Sequence, residues 1–306
     1  MSANPLDRVT IVGAGVQGSM LAFRCAIHGK SVALFDVDEQ ALERAAGKIE
    51  AWLGEFVAGG KLSEQESRVA WQRIALRREL AAALADADIV IENVPERLEL
   101  KQTVWAEIDA LAPDKTLLTT NSSSLRSSEI GATVRRKEKT FNVNFTTPTR
   151  DDLVEVMWNG ETSEQTKQDA LGFLTSIRNI PIVTRWEIKG FSLNRVWRAI
   201  KKECLKLWSE GYIDPQDLDR AFMLEWDTAY GPFGLMDKVG LDVVRDIELS
   251  YYRESGDASD LPPQALEEMI TAGRLGEKSG RGFYEYPEPD YERAGWLRGE
   301  SDEVGE

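Results

Sequence analysis

Three closely spaced glycines carry the first chemistry legible in this chain. Gly13, Gly15 and Gly18 form G-x-G-x-x-G directly after the apolar run RVTIVG (8–13) and at the head of a helix-forming stretch. In that setting Gly13 permits a tight turn, Gly15 lets the backbone approach a pyrophosphate, and Gly18 lets the helix lie close to the sheet. The helix start, with Val16 and Gln17, then attracts phosphate through its N–H groups. Asp36 ends the next apolar run. A carboxylate there accepts from both ribose hydroxyls and repels a 2′-phosphate. No Arg or Lys follows in Val37-Asp38-Glu39-Gln40, so the expected cofactor is NAD rather than NADP. The bland alternative is a glycine turn that binds nothing, and the agreement of the surrounding context weighs against it.

The elements that must hold this site follow from the hydrophobic period. Strand-like runs at 8–13 and 31–36 flank a helix from Gln17 to His28, a βαβ unit. Residues 39–58 repeat apolar side chains at helical spacing, Gly59-Gly60 is a turn, and Ser63 with Glu66 forms a capping box for a further helix. These two helices are a hairpin inserted into the alternating pattern. Strands are then expected at 73–76, 87–94, 116–123, 141–145, 153–158 and 180–184, with helices at 98–111 and 163–178. The expectation is a Rossmann-type, doubly wound parallel α/β sheet. After Gly190 the strand pattern stops. A long helix over 191–210 and further helices between Pro and Gly breaks make an all-α C-terminal part. Residues 1–188 are therefore expected to form the NAD-binding domain and 189–306 a separate helical domain, with a loose acidic tail over 287–306.

Composition bounds the rest. A chain of 306 residues suits two domains, and 42% hydrophobic with 29% charged residues is an ordinary soluble balance. A net charge of −15 argues against nucleic acid and anionic membranes as partners. No apolar run reaches membrane-spanning length, and the N-terminus lacks the pattern of a secretion signal, so a cytoplasmic protein is expected. Cys25 and Cys204 are isolated within helical stretches, without metal-like spacing, as in a reduced compartment. The single histidine, His28, sits at the end of the first helix and is expected to be a helix-end or surface residue. Trp105, Trp158, Trp197 and Trp208 are expected in packing.

Further motifs resemble those of the L-3-hydroxyacyl-CoA dehydrogenase family over the chain up to residue 286. Asn121-Ser-Ser123-Ser-Leu125 resembles the family's N-T-S-S-L, and Gly190-Phe-Ser-Leu-Asn194-Arg195 resembles G-F-I-V-N-R. Gly231-Pro-Phe-Gly-Leu-Met-Asp237 and Gly276-Glu-Lys278-Ser-Gly280-Arg-Gly282-Phe-Tyr284 resemble two signatures of its helical domain. The resemblance implies hydride transfer between NAD and a secondary alcohol or ketone. It implies Ser123 at the substrate hydroxyl, Glu96 and Lys101 beside the nicotinamide with Asn121, Glu155 orienting the catalytic base, Asn194 as a further active-site residue, and a homodimer. The base, a histidine in H-F-F-N-P, corresponds to Asn144 in Asn144-Phe-Thr-Thr-Pro148.

Asparagine takes up no proton near neutral pH, so it cannot act as a general base, although its amide can still donate to a carbonyl. Loss of a general base typically costs about 10²–10⁴-fold in rate. The path to Glu155 is also one residue shorter than in the family and passes through the charged loop Thr149-Arg-Asp-Asp152. On the long helix, Arg198 and Lys201 share a face with Asn194 where the family carries apolar residues. They are expected either as a solvated or inter-subunit salt-bridged face, or as a cation for an anionic substrate, with Lys201 as a replacement base. Glu155 is left open as a base, an orienting group or a structural carboxylate. Three functions follow: a divergent dehydrogenase for a small, anionic hydroxy or keto substrate; a weak or inactive NAD-binding homologue with a sensing or structural role; and a reaction that uses NAD transiently. The retained Ser123, Glu155, Asn194, Glu96 and Lys101 favour the first.

Overall fold

The computed structural model describes residues 6–149 and 152–299, which divide into two compact units between Leu193 and Asn194. In the first unit, β1 (Arg8–Val12), α1 (Val16–Ile27) and β2 (Ser31–Phe35) form the opening βαβ turn. The hairpin α2 (Glu39–Ala58) and α3 (Glu64–Gln72) comes next, with the Ser63–Glu66 capping box in place. β3 (Ile74–Arg77), α4 (Leu80–Leu84), β4 (Ile89–Glu92), α5 (Leu98–Leu111), β5 (Leu117–Thr120) and α6 (Ser127–Ile130) continue the alternation. β6 (Thr140–Phe145), β7 (Leu153–Trp158), α7 (Glu164–Ser176) and β8 (Ile180–Thr184) close it.

The eight strands lie in the order β3-β2-β1-β4-β5-β6-β7-β8. The strand order reverses between β1 and β4, and a dinucleotide binds at the carboxyl ends of strands at such a point. One sheet face is covered by an apolar cluster that includes Leu21, Phe23, Ile49, Leu53, Phe141 and Phe173, the other by one that includes Val90, Trp105, Ile108 and Ile130. Buried on both faces, the central strands are runs of Val, Ile and Leu without alternation.

The sheet is the expected doubly wound, mostly parallel one, and its one departure is that β7 runs antiparallel to β6. The link between them spans only 146–152, too short for the crossover that parallel neighbours need. Arg150 and Asp151 of the charged loop lie outside the described residues; Asp152 at its end pairs with Arg24 at 2.8 Å. α4 and α6 were also not anticipated, since one turn of helix shows no apolar period.

The second unit contains α8 from Asn194 onward (Ser192–Ser209), α9 (Pro215–Trp226), α10 (Pro232–Val239), α11 (Leu241–Ser255) and α12 (Gln264–Thr271). Their core includes Leu205, Met223, Phe233, Met236, Leu241 and Leu266. The segment after 287 is not a loose tail over its described part. Tyr291 and Trp296 are buried in that core, with the Tyr291 ring edge-on to Tyr284 and Arg220 stacked over Trp296. Residues 300–306 lie outside the described residues. No helix among the described residues is long and apolar enough to cross a membrane, and no cluster of His, Cys, Asp or Glu there could hold a metal ion.

Candidate active site

The loop after β1 is shaped by its glycines. Gly13 turns at φ 104°, and a Cβ there would stand 2.8 Å from the carbonyl oxygen of Asn93. A Cβ on Gly18 would stand 1.9 Å from the Gly13 carbonyl oxygen, so only glycine lets α1 approach this loop. A Cβ on Gly15 would meet nothing within 4 Å. The helix start it heads has no side-chain cap, which leaves a cradle of N–H groups facing open space with Val16 exposed beside it. Asp36 accepts from the N–H of Ala14 at 2.7 Å and of Asp38 at 2.9 Å, which places its carboxylate at the edge of that cradle. Gln17 donates to the Thr146 carbonyl at 3.1 Å and so joins α1 to the segment after β6. Open space at Gly15, uncapped N–H groups and an acid one strand away fit NAD.

Beside the cradle, β4 ends in a charge. Glu92 is fully buried and accepts from Lys101 Nζ at 2.8 Å, Thr120 Oγ1 at 2.8 Å and the Val94 N–H at 2.6 Å. Burial pushes the Glu92 carboxyl above its usual value, against the pull of Lys101. Lys101 also donates to the Val94 carbonyl at 3.0 Å and stands 3.4 Å from Glu96. It is buried, surrounded by acceptors and stands behind Glu96. Glu96 itself is exposed and gathers the hydroxyls of Ser122 and Ser124. Burial works against its ionisation, but those two hydroxyls and Lys101 draw the carboxyl below its usual value. The flanking serines thus build the turn, while Ser123 between them is exposed. Asn121 accepts from the Phe145 N–H at 3.0 Å and donates to Asn93 at 2.9 Å, tying β4, β5 and β6 together where they end.

The antiparallel pairing of β6 and β7 sets Asn144 opposite Glu155. Both are buried, and Asn144 Nδ2 donates to Glu155 Oε2 at 3.3 Å. The other carboxylate oxygen accepts from the N–H of Ser192 at 3.0 Å, the N–H of Leu193 at 2.9 Å and the Ser192 hydroxyl at 2.5 Å. Gly190 at φ 79° and Phe191 at φ 53° bend the chain so that these donors converge on it. Ser192 is a site residue that reading by motif missed. Its only sequence signal is Ser in G-F-S-L-N-R where the family motif has Ile. Glu92 was missed as well, although a carboxylate closing the apolar strand Ile89-Val-Ile-Glu92 was a visible sign.

In the helical unit, Asn194 is exposed on the first turn of α8. Lys201 is buried with its ammonium 2.9 Å from Glu248, and Arg198 bridges Glu248 at 2.7 Å and Asp260 at 2.8 Å. Burial lowers the Lys201 ammonium from its usual value, against the pull of Glu248. Neither the solvated face nor the free base describes Lys201. It is half of a buried ion pair that joins α8 to α11. His28 is half-buried at the end of α1, near Arg24 and Arg178.

Comparison with known proteins agrees with this geometry. Residues 8–188 match the 3-hydroxyacyl-CoA dehydrogenase NAD binding domain and residues 190–286 match the C-terminal domain of the same family. A probable 3-hydroxybutyryl-CoA dehydrogenase of Bacillus subtilis is 31% identical, over 92% of this chain and 98% of its own length. A 5-formyl-3-hydroxy-2-methylpyridine 4-carboxylate 5-dehydrogenase of Mesorhizobium japonicum is 29% identical, over 92% of this chain and 91% of its own. The crystal structure of an (S)-3-hydroxybutyryl-CoA dehydrogenase from Ralstonia eutropha superposes with a TM-score of 0.86 at 28% identity, over 92% of this chain and all of that one. With its glycine cradle, Asp36 and both domains matched, this chain belongs to the 3-hydroxyacyl-CoA dehydrogenase family of NAD-dependent oxidoreductases.

Proposed function

We propose that the protein interconverts a secondary alcohol and a ketone on a small, anionic substrate, with an amide at the position of the family's histidine base. The observation that carries this reading is the hydrogen bond from Asn144 to Glu155, in which a neutral amide occupies the partner position of the buried carboxylate. Bound NAD supplies the hydride acceptor or donor. Ser123, exposed at the turn, donates to the substrate oxygen. Asn144 keeps its second N–H for the same oxygen, because one N–H is spent on Glu155. An amide donor assists a carbonyl that gains negative charge but accepts no proton from an alcohol. The group missing as proton acceptor in oxidation is equally missing as proton donor in reduction, so in either direction the substrate oxygen exchanges its proton with water while the amide stabilises the negative charge on it. The relative from Mesorhizobium japonicum supports a substrate outside the acyl-CoA class, since its name describes a small pyridine carboxylate.

The test compares NADH oxidation by wild type and Asn144→His on acetoacetyl-CoA and on a panel of small keto acids. A site rebuilt around the amide is expected to lose about 10-fold or more on its keto acid when Asn144 becomes His, through loss of a placed donor. Robust acetoacetyl-CoA reduction by Asn144→His, with no loss on any keto acid, overturns the proposal. NADH turnover on no substrate at all would favour the non-catalytic NAD-binding homologue.

A further inference from the structure

The Glu155 carboxylate is buried, with 1% of its surface exposed, and among the described residues it is in no ion pair. Its strand-pairing neighbours are Asn144 on β6 and Ile182 on β8, and its hydrogen-bond donors are Asn144, the hydroxyl and N–H of Ser192 and the N–H of Leu193. None of these carries a positive charge. A buried carboxylate is costly unless donors or cations replace its water. In a family site the opposing imidazole can take that part by sharing a proton. Asn144 has no proton to share. The compensation comes instead from the other oxygen, which collects three donors. One is the Ser192 hydroxyl at 2.5 Å, the length of a charge-assisted bond.

We infer that Ser192 is a positioning residue that compensates for Asn144. Its hydroxyl takes the share of the Glu155 charge that a protonatable partner at position 144 would otherwise take. Asn144, Glu155 and Ser192 then form one unit, and Ser192 sets the negative charge felt at position 144. The inference rests on the reading of Asn144 and Glu155 as the reaction pair. It goes further by naming the second change that makes an amide acceptable there. The direction of the effect is fixed by geometry. Both backbone N–H donors remain when the hydroxyl is removed, so the carboxylate keeps its orientation and only its charge becomes less satisfied.

A histidine introduced at position 144 reports that charge without substrate or cofactor. The chain has one native histidine, His28, which burial and the neighbouring arginines push down to about 4, so the new imidazole is readily told apart by NMR. Titrations would compare Asn144→His with Asn144→His/Ser192→Ala and Asn144→His/Ser192→Thr. The alanine change is expected to raise the titration midpoint of the introduced imidazole by about one pH unit, since a hydrogen bond to a charged group is worth about 1.5–3 kcal/mol and one unit is 1.36 kcal/mol. The threonine change, which restores a hydroxyl, is expected to return it. An unchanged or lowered midpoint in the alanine variant overturns the inference. Should a double variant not fold, the Asn144 side-chain amide of ¹⁵N-labelled protein gives the same answer in the native background. Ser192→Ala is expected to move its hydrogen-bonded proton downfield and Ser192→Thr is not; no movement overturns the inference. Neither readout needs turnover, so a protein inactive on every ketone can still show the shift.

Discussion

At the scale of single residues, the site is organised by carboxylates whose partners are already inside the chain. Glu155 is held by four donors, Glu96 by two serines and a lysine, and Glu92 by Lys101, Thr120 and the Val94 N–H. The Glu92–Lys101 pair is the most deeply buried, at 0% and 1% exposure. Removing one member of such a pair leaves an unpaired buried charge and typically costs about 3–5 kcal/mol, whereas removing both costs much less. Lys101→Met is expected to lower the urea midpoint by an amount in that range, and Glu92→Gln/Lys101→Met to recover most of it. If both variants are as stable as wild type, the pair has no structural role and Lys101 is better read as a cofactor contact.

At the scale of elements, α1 shows how one helix serves two ends. Its first turn is free of side-chain caps and faces the cradle, while its far end carries His28. The His28 imidazole is lowered from 6.5 to about 4, first by burial and then by Arg24 and Arg178. The folded state therefore binds fewer protons than the unfolded chain between those values. The stability contributed by neutral His28 is complete above pH 6.5 and is lost as pH falls towards about 4. Thermal midpoints measured from pH 7 down to pH 4 are expected to fall over this window. His28→Gln is expected to make the fall shallower, and an identical slope in both proteins counts against the assignment.

At the scale of the whole molecule, the helical unit exposes a set of large apolar side chains, among them Val196, Leu224, Trp226, Val243 and Leu261. Scattered apolar side chains are normal on a surface, but Trp226 is 62% exposed and Leu224 61% exposed on the same helix. With the family resemblance, this supports a homodimer through the helical unit. Light scattering at micromolar concentration is expected to give about twice the chain mass of 34.3 kDa. A mass of one chain is the outcome that rejects it, and Trp226→Glu is expected to push the equilibrium towards that mass.

Much of the frame was determined by local sequence alone. The ranges 39–58, 98–111, 153–158 and 180–184 are the observed elements residue for residue, because each carries enough apolar residues for its period to be read. The cofactor was legible too, since the chemistry of G-x-G-x-x-G and Asp36 depends on a turn and a strand end close to one another in sequence. Tertiary structure alone decided the rest. That β7 turns back antiparallel brings Asn144 face to face with Glu155, and no periodicity distinguishes a parallel from an antiparallel neighbour. The pairing of Lys101 with Glu92 and of Lys201 with Glu248, the burial of Trp296 and the closure of Ser192 on Glu155 also join residues whose partners no local pattern names. A charge in a sequence shows that compensation is needed, and only the folded chain shows which group supplies it.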